Sequence, residues 1–278
     1  MKSYVVTGAS TGIGYATALR LAKNARVFAG VRNARDHDAL GAAAPNVVPV
    51  YLDVTDPDTI AQAKATIAEQ TAGELDGLVN NAGIAVAAPL EMVEPAEFRK
   101  QLDINVMGPL LVTQAFLPMI RARKGRIVTI GSIGGKMALP FVGAYAASKF
   151  AIEAMSDAWR LELAPFGIRV ILIEPGAVKT PIWQRSSTAS LSAMERASPT
   201  ALALYGELIG KMQKISSKMG AGGIDPDRVA AVVERALVVR SPRARYLVGT
   251  DARVQLVIGR LPEFIRDRMI LSTFARAK

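Results

Sequence analysis

Short runs of β-forming residues alternate with amphipathic stretches along most of the chain, and this alternation restricts the fold more than any other feature. Lys2–Val6, Arg26–Val31, Val47–Leu52, Leu75–Val79, Gly125–Ile130 and Ile168–Ile173 read as strands, with Arg245–Val248 as a further one. Helical patterns fall between them: one ending near Lys23, then Pro57–Gln70, Pro95–Ala122 and Ala144–Ala164. Strands this apolar are buried on both faces, and helical crossovers join parallel neighbours. The expected fold is therefore α/β: a doubly wound parallel sheet of about seven strands. No internal repeat or low-complexity linker divides the 278 residues, so one domain is expected.

The first strand runs into "TGASTGIG", residues 7–14, and then into helix. Strand, glycine-rich turn and helix together let a backbone approach a pyrophosphate, while the helix N-terminus supplies N–H donors and a positive dipole end. Gly8, Gly12 and Gly14 have the spacing G-x-x-x-G-x-G, one residue longer at the first step than the usual dinucleotide fingerprint. Alone, that pattern is weak. Further along, "LDVTD" closes the third strand at Asp53, "NNAG" closes the fourth at residues 80–83, and "DINVMG" holds Asn105. "TIGSIGG" closes the fifth with Ser132, "YAASK" places Tyr145 and Lys149 one helical turn apart, and "PGAVKT" follows the sixth. These polar groups collect at the carboxyl ends of strands, where open α/β sheets bind ligands.

In this order the motifs resemble the short-chain dehydrogenase/reductase family over about residues 1–180, and the implied fold is Rossmann-type. The resemblance implies a nicotinamide cofactor, with Asn105, Ser132, Tyr145 and Lys149 as the catalytic set. Tyr145 is expected as general acid/base, tuned by the ammonium of Lys149, which also holds the nicotinamide ribose. Ser132 is expected to bond the substrate oxygen, and Asn105 to anchor a water passing protons from Lys149. For the cofactor, the resemblance assigns Ser10, Thr11 and Ile13, with Gly8, Gly12 and Gly14, to the pyrophosphate turn. Asp53 and Val54 fall to the adenine, Asn81 and Gly83 to the adenosine ribose, and Pro175, Gly176, Val178 and Thr180 to the nicotinamide side. Gly131 stands where relatives often carry Ser, which is expected to loosen the backbone beside Ser132. Retention of the whole catalytic set favours an enzyme over a dinucleotide-binding sensor or scaffold.

An NAD-specific site wants a carboxylate about 20 residues beyond the glycines. Here "AGVRNAR" puts Val31 and Arg32 at that place. A guanidinium pairs well with a 2′-phosphate, so NADP(H) is expected over NAD(H). Residues 181–223 interrupt the strand–helix rhythm and border the ligand crevice as a substrate lid. Ile182, Trp183, Leu191, Met194, Leu202, Leu204, Tyr205, Leu208 and Met212 make it apolar, and Pro140, Phe141 and Val142 precede Tyr145. A lipophilic alcohol or ketone is expected in such a pocket. "GSIGGKMALPFVGAYAASKFAIEAMSD" and "LAPFGIRVILIEPGAVKT" look most like the 17β-hydroxysteroid and retinol dehydrogenase branch.

Composition narrows the remaining classes. There are no cysteines, hence no disulfide or thiolate metal site, and no metal is expected. The single His37 sits between Asp36 and Asp38 in an expected surface loop. Neither a signal-peptide pattern nor an uncharged run of about 18 apolar residues is found, so a soluble cytoplasmic enzyme is expected. The net charge of +10 is uneven: residues 1–180 hold 18 Lys/Arg against 16 Asp/Glu, and residues 181–278 hold 16 against 8. The basic residues of the C-terminal part are dispersed among Val, Leu and Ile, with no nucleic-acid-binding signature, so no nucleic acid partner is expected. In the tail, residues 251–278, Pro262 divides two short helices. Its apolar residues are open to three uses: closing the substrate pocket, packing on a second subunit, or meeting an anionic membrane surface as a peripheral contact. The resemblance also implies a homodimer or homotetramer, formed through the helices that hold Asn105 and Tyr145.

Overall fold

A computed structural model describes residues 1–184, 186 and 198–276. In chain order it gives β1 (Lys2–Val6), α1 (Gly12–Leu21), β2 (Ala25–Val31), α2 (Ala34–Ala43), β3 (Val47–Tyr51), α3 (Pro57–Thr71) and β4 (Gly77–Asn80). Next come α4 (Pro95–Leu102), α5 (Gly108–Arg123), β5 (Arg126–Ile130), α6 (Gly143–Leu163) and β6 (Arg169–Pro175). The chain continues with α7 (Pro199–Gly222), α8 (Pro226–Val238), β7 (Arg245–Val248), α9 (Thr250–Gly259) and α10 (Glu263–Arg276). The seven strands form one parallel sheet in the order β3-β2-β1-β4-β5-β6-β7. The chain thus builds outward from β1 to β3, returns to β4, and builds the other way. A crevice opens at the carboxyl ends of β1 and β4, where this reversal occurs.

The period-2 alternation of each strand feeds two cores. Tyr4 and Val6 of β1 and Val27, Ala29 and Val31 of β2 pack with Ala18 and Leu21 of α1, Leu40 of α2, and Val229, Val233 and Leu237 of α8. Val5 and Phe28 point the other way, onto Ile60, Ala63 and Ile67 of α3 and Val112, Phe116, Met119 and Ile120 of α5. Helix ends follow local chemistry. Asp56 caps α3 by accepting from the N–H groups of Asp58 and Thr59, with Pro57 in the first turn and left-handed Ala72 closing it.

Several sequence expectations change. His37 lies in α2 and stacks on Tyr51 with ring centroids 4.9 Å apart, so the expected loop is a helix. Asn33 caps that helix by accepting from the N–H of Asp36 at 2.9 Å, and only Leu40 of its residues is buried, leaving almost no apolar stripe to read. The long pattern Pro95–Ala122 is divided by a π-helical turn, Asp103–Met107, centred on Asn105. Among the described residues, Pro95–Arg123 is the one helical stretch long and apolar enough to cross a membrane, with mean hydropathy 1.2; its apolar face packs on the sheet. The sequence pattern reads as helix over 201–219 and then as a glycine-rich break, but α7 continues through Gly220, where a side chain would lie 3.1 Å from the Trp183 ring. The tail forms two helices separated near Pro262, as its sequence indicates.

Candidate active site

The glycine turn is held by its own close contacts. Gly8 and Gly12 adopt φ of +61° and +59°, the left-handed region that glycine tolerates best. A Cβ on Gly8 would stand 2.8 Å from the Ala82 Cα, and one on Gly12 would stand 2.9 Å from Thr180 Cγ2. Gly14 lies behind the turn, where a Cβ would be 2.3 Å from the Gly8 carbonyl oxygen. Asn81 ties the turn to β4: its Nδ2 donates to the carbonyls of Thr7 at 2.9 Å and Gly8 at 3.0 Å.

Above the turn runs a cleft of about 440 Å³. Its walls include Gly8, Ser10, Thr11, Gly12 and Ile13, then Arg32, Asp53 and Val54, then Asn81 and Gly83. Tyr145, Lys149, Pro175, Gly176, Val178 and Thr180 complete the far side. Of the residues expected to touch the cofactor, only Gly14 stands off this wall. Arg32 is exposed at the cleft's end, 3.9 Å from Asp53 Oδ2, with Asn33 beside it. The cleft and its bare glycine turn fit a dinucleotide.

A second, apolar pocket of about 130 Å³ adjoins it. Ala85, Ser132, Tyr145, Gly176, Ile182 and Trp183 line both spaces. The hydroxyls of Ser132 and Tyr145 are therefore placed where cleft and pocket meet. Ser132 Oγ accepts from the Gly134 N–H at 3.0 Å, which leaves its own proton to donate towards Tyr145 or a ligand. Burial pushes the Tyr145 phenol above the ordinary tyrosine value, and a hydrogen bond with Ser132 opposes that rise. Lys149 is 8% exposed and donates from Nζ to the Ile130 carbonyl at 2.8 Å, leaving two further donors. Burial pushes its ammonium down to about 8. Gly131 is buried, with its N–H bonded to the Ile173 carbonyl at 2.8 Å and room for a side chain limited by Leu172. In place of the expected loosening beside Ser132, the end of β5 is pinned to β6.

Asn105 sits behind the cleft. Its Oδ1 accepts from the Ile84 N–H at 2.9 Å, and its Nδ2 donates to the Ile84 carbonyl and Ser148 Oγ, each at 3.0 Å. One turn earlier, Gln101 repeats the arrangement. Its Oε1 accepts from the Val86 N–H at 2.7 Å, and its Nε2 donates to the Ile84 carbonyl at 2.9 Å. Ser148 in turn donates to the Tyr145 carbonyl at 2.7 Å. The loop after β4 is thus tied to the helix that carries Tyr145 and Lys149. Sequence reasoning passed over Gln101; its placement four residues before Asn105 is the one available signal. It also missed Asp251, whose Oδ2 accepts from the Ala177 N–H at 2.7 Å and fixes the segment after β6.

The pocket's apolar wall is only partly the one expected. Ile182, Trp183, Phe141, Val142 and Met212 line it, together with Ile209, which was not singled out. Pro140 is half-buried and does not line the pocket, Leu202, Leu204 and Leu208 are exposed, and Tyr205 reaches away to donate to Glu91 Oε2 at 2.7 Å. Leu191 and Met194 lie outside the described residues. From the tail, Gln255 lines the pocket and Ala252 is fully buried, while Val254, Val257, Phe264 and Leu271 are exposed.

Comparison with known proteins bears on this arrangement directly. A family model for short chain dehydrogenase matches residues 2–190. The chain belongs to the short-chain dehydrogenase/reductase family of oxidoreductases. It is 38% identical to a 3-amino-tetrahydro-pyrrolizinone reductase of Xenorhabdus hominickii, over 91% of this chain and 88% of that protein. It is 34% identical to an NADPH-dependent 3-dehydrocapnine reductase of Ornithobacterium rhinotracheale, covering 99% and 96% of the two chains. Human retinol dehydrogenase 16 is also 34% identical, with coverage of 97% and 87%. Among solved structures, a short-chain dehydrogenase from Streptomyces avermitilis superposes with a TM-score of 0.77 at 30% identity, covering 99% of this chain and 96% of that one. One from Burkholderia cenocepacia in complex with NADP gives 0.73 at 26% identity, with coverage of 97% and 99%.

Proposed function

We propose that this chain is an NADP(H)-dependent oxidoreductase acting on a lipophilic secondary alcohol or ketone, with Tyr145 as general acid/base. The observation that carries this reading is the meeting of Ser132 and Tyr145 at the seam between the long cleft and the apolar pocket. A bound nicotinamide supplies or accepts the hydride. In reduction, the Ser132 hydroxyl donates to the substrate carbonyl oxygen and the Tyr145 phenol delivers the proton to that oxygen. A phenol holds this proton at neutral pH even at its ordinary value, and burial favours the protonated form further. The ammonium of Lys149 acts through its remaining donors, orienting the ribose side and favouring the phenolate left by proton transfer. Asn105 and Gln101 are positioning residues, acting through Ile84, Val86 and Ser148.

Arg32 supports NADP(H) over NAD(H), because its exposed guanidinium stands at the end of the cleft where a 2′-phosphate would meet it. The NADPH dependence named for one relative and the NADP bound in one solved structure agree with this choice. Helix α7 acts as the lid in this reading, the Tyr205–Glu91 hydrogen bond holding it against the loop after β4. Met107, Phe150, Leu161 and Phe166 are exposed along and beside the helices of Asn105 and Tyr145, a surface suited to homodimer or homotetramer formation. The test is a panel of cyclic ketones with NADPH and with NADH, followed by the absorbance of the reduced cofactor. Ketone-dependent oxidation, faster with NADPH, is expected; absence of turnover with every ketone contradicts the reading.

A further inference from the structure

Ile209, Met212, Gln213 and Ser216 lie at positions i, i+3, i+4 and i+7 of α7, and together they present one face of that helix to the apolar pocket. Three of these suit an oily ligand or a neutral wall. Gln213 is different: its Nε2 is buried and has no hydrogen-bond partner. Native structures nearly always pair buried polar groups, and an exception calls for a physical cause. Gln213 is neither in the catalytic set nor part of the network around Asn105. Gln255 from α9 supplies a second carboxamide to the same pocket.

Building on the oxidoreductase reading above, we propose that Gln213 is a specificity residue whose amide donates a hydrogen bond to an acceptor oxygen of the substrate, separate from the reacting carbonyl. The preferred substrate is then a ketone or secondary alcohol of mostly apolar skeleton that carries a second oxygen. A plain hydrocarbon ketone leaves the buried Gln213 donor unpaired in an apolar pocket. Pockets built around such a donor reject analogues that lack the acceptor far more strongly than those that lose a methylene.

The experiment compares a bicyclic ketone with its counterpart in which the far ring is a lactone, which adds an acceptor and no second ketone. Wild-type protein and Gln213→Leu, which matches the side chain in size without its donor, are assayed with NADPH. Wild type is expected to favour the keto-lactone by about tenfold or more in kcat/KM, and Gln213→Leu to bring that ratio close to one. The ratio decides, whatever the absolute rates. Equal ratios in both proteins, or a wild-type ratio of one, overturn the proposal. Ligand binding to the cofactor-loaded protein, read through fluorescence quenching of Trp183 in the pocket wall, gives an independent arm. Tight binding of the keto-lactone without turnover, weakened in Gln213→Leu, supports the Gln213 assignment while counting against the catalytic reading. Binding of neither ketone, or equal binding by both proteins, overturns the Gln213 assignment itself.

Discussion

Replacing Gln101 by Leu tests how the site is held together. Gln101 is completely buried, and its carboxamide joins the Val86 N–H and the Ile84 carbonyl of the loop after β4. Leucine fills nearly the same volume, so cavity formation is a minor term. The Ile84 carbonyl keeps a donor in Asn105 Nδ2 at 3.0 Å, but the Val86 N–H loses the acceptor it has here. A buried donor left unpaired costs about 1–3 kcal/mol, so the free energy of unfolding should fall by that amount. At about 2–4 °C per kcal/mol for a domain of this size, the Tm should drop by several degrees. Ala85, Ala87 and Ala88 line the substrate pocket from this loop, while Tyr145 and Lys149 sit on α6. Release of the loop should therefore raise KM for the ketone more than it lowers kcat. Urea titration read by circular dichroism, with steady-state kinetics on the same sample, measures both. A loss below about 0.5 kcal/mol, the usual range of a neutral surface change, refutes the strut, as does a fall confined to kcat.

Arg32→Asp should weaken NADPH by about tenfold or more while improving NADH, since a charge-assisted hydrogen bond is worth about 1.5–3 kcal/mol. An unchanged NADPH Kd would make Arg32 an ordinary surface residue. Lys149 has its ammonium pushed from 10.5 to about 8 by burial. Below pH 8 both folded and unfolded chains carry that proton, and the full cost of burying the charge, about 3 kcal/mol at about 1.4 kcal/mol per tenfold, is present. Between pH 8 and 10.5 the unfolded chain holds the proton that the folded one has lost, so stability rises with pH. Cofactor-free Lys149→Met should accordingly be more stable than wild type at pH 7, with the gap closing by pH 10; a constant gap argues against a strained ammonium. In Gly176→Ala the new Cβ would lie 2.1 Å from Asp251 Oδ2, so NADPH affinity and stability should both fall. Adding Asp251→Ala relieves that clash, and a double-mutant cycle should be sub-additive by about 1 kcal/mol, whereas strict additivity would show that Asp251 does not constrain the segment.

Much of the fold is legible because parallel strands buried on both faces read as unbroken apolar runs, most of them followed by a helix with an apolar stripe; α2, with only Leu40 buried, is the exception. The cleft is legible for the same reason: Asp53, Asn81, Ser132 and Thr180 follow strand ends, and the topology collects those ends in one place. Residues working across long sequence separations are harder to find. Asp251 holds Ala177 from 74 residues away, and nothing local distinguishes it from a helix-start aspartate. Gln101 reads as one polar residue on a helix until the loop at Val86 folds onto it. In α7 apolar residues occupy several faces, so composition shows an oily helix without its rotational phase; Leu204 and Leu208 face solvent while Ile209 and Gln213 face the pocket. The π turn at Asn105 shifts that phase again between α4 and α5, and the sequence reads straight through it.

Proton transfer by the Tyr145 phenol at the seam between cleft and pocket is checked by Tyr145→Phe. The substitution removes one oxygen and keeps the ring in the wall, so NADPH binding, measured by fluorescence titration, should stay within a few-fold of wild type. Ketone-dependent NADPH oxidation should fall by about 10²-fold or more, the usual worth of a positioned general acid. Wild-type turnover in a variant that binds cofactor normally would rule out Tyr145 as the proton donor.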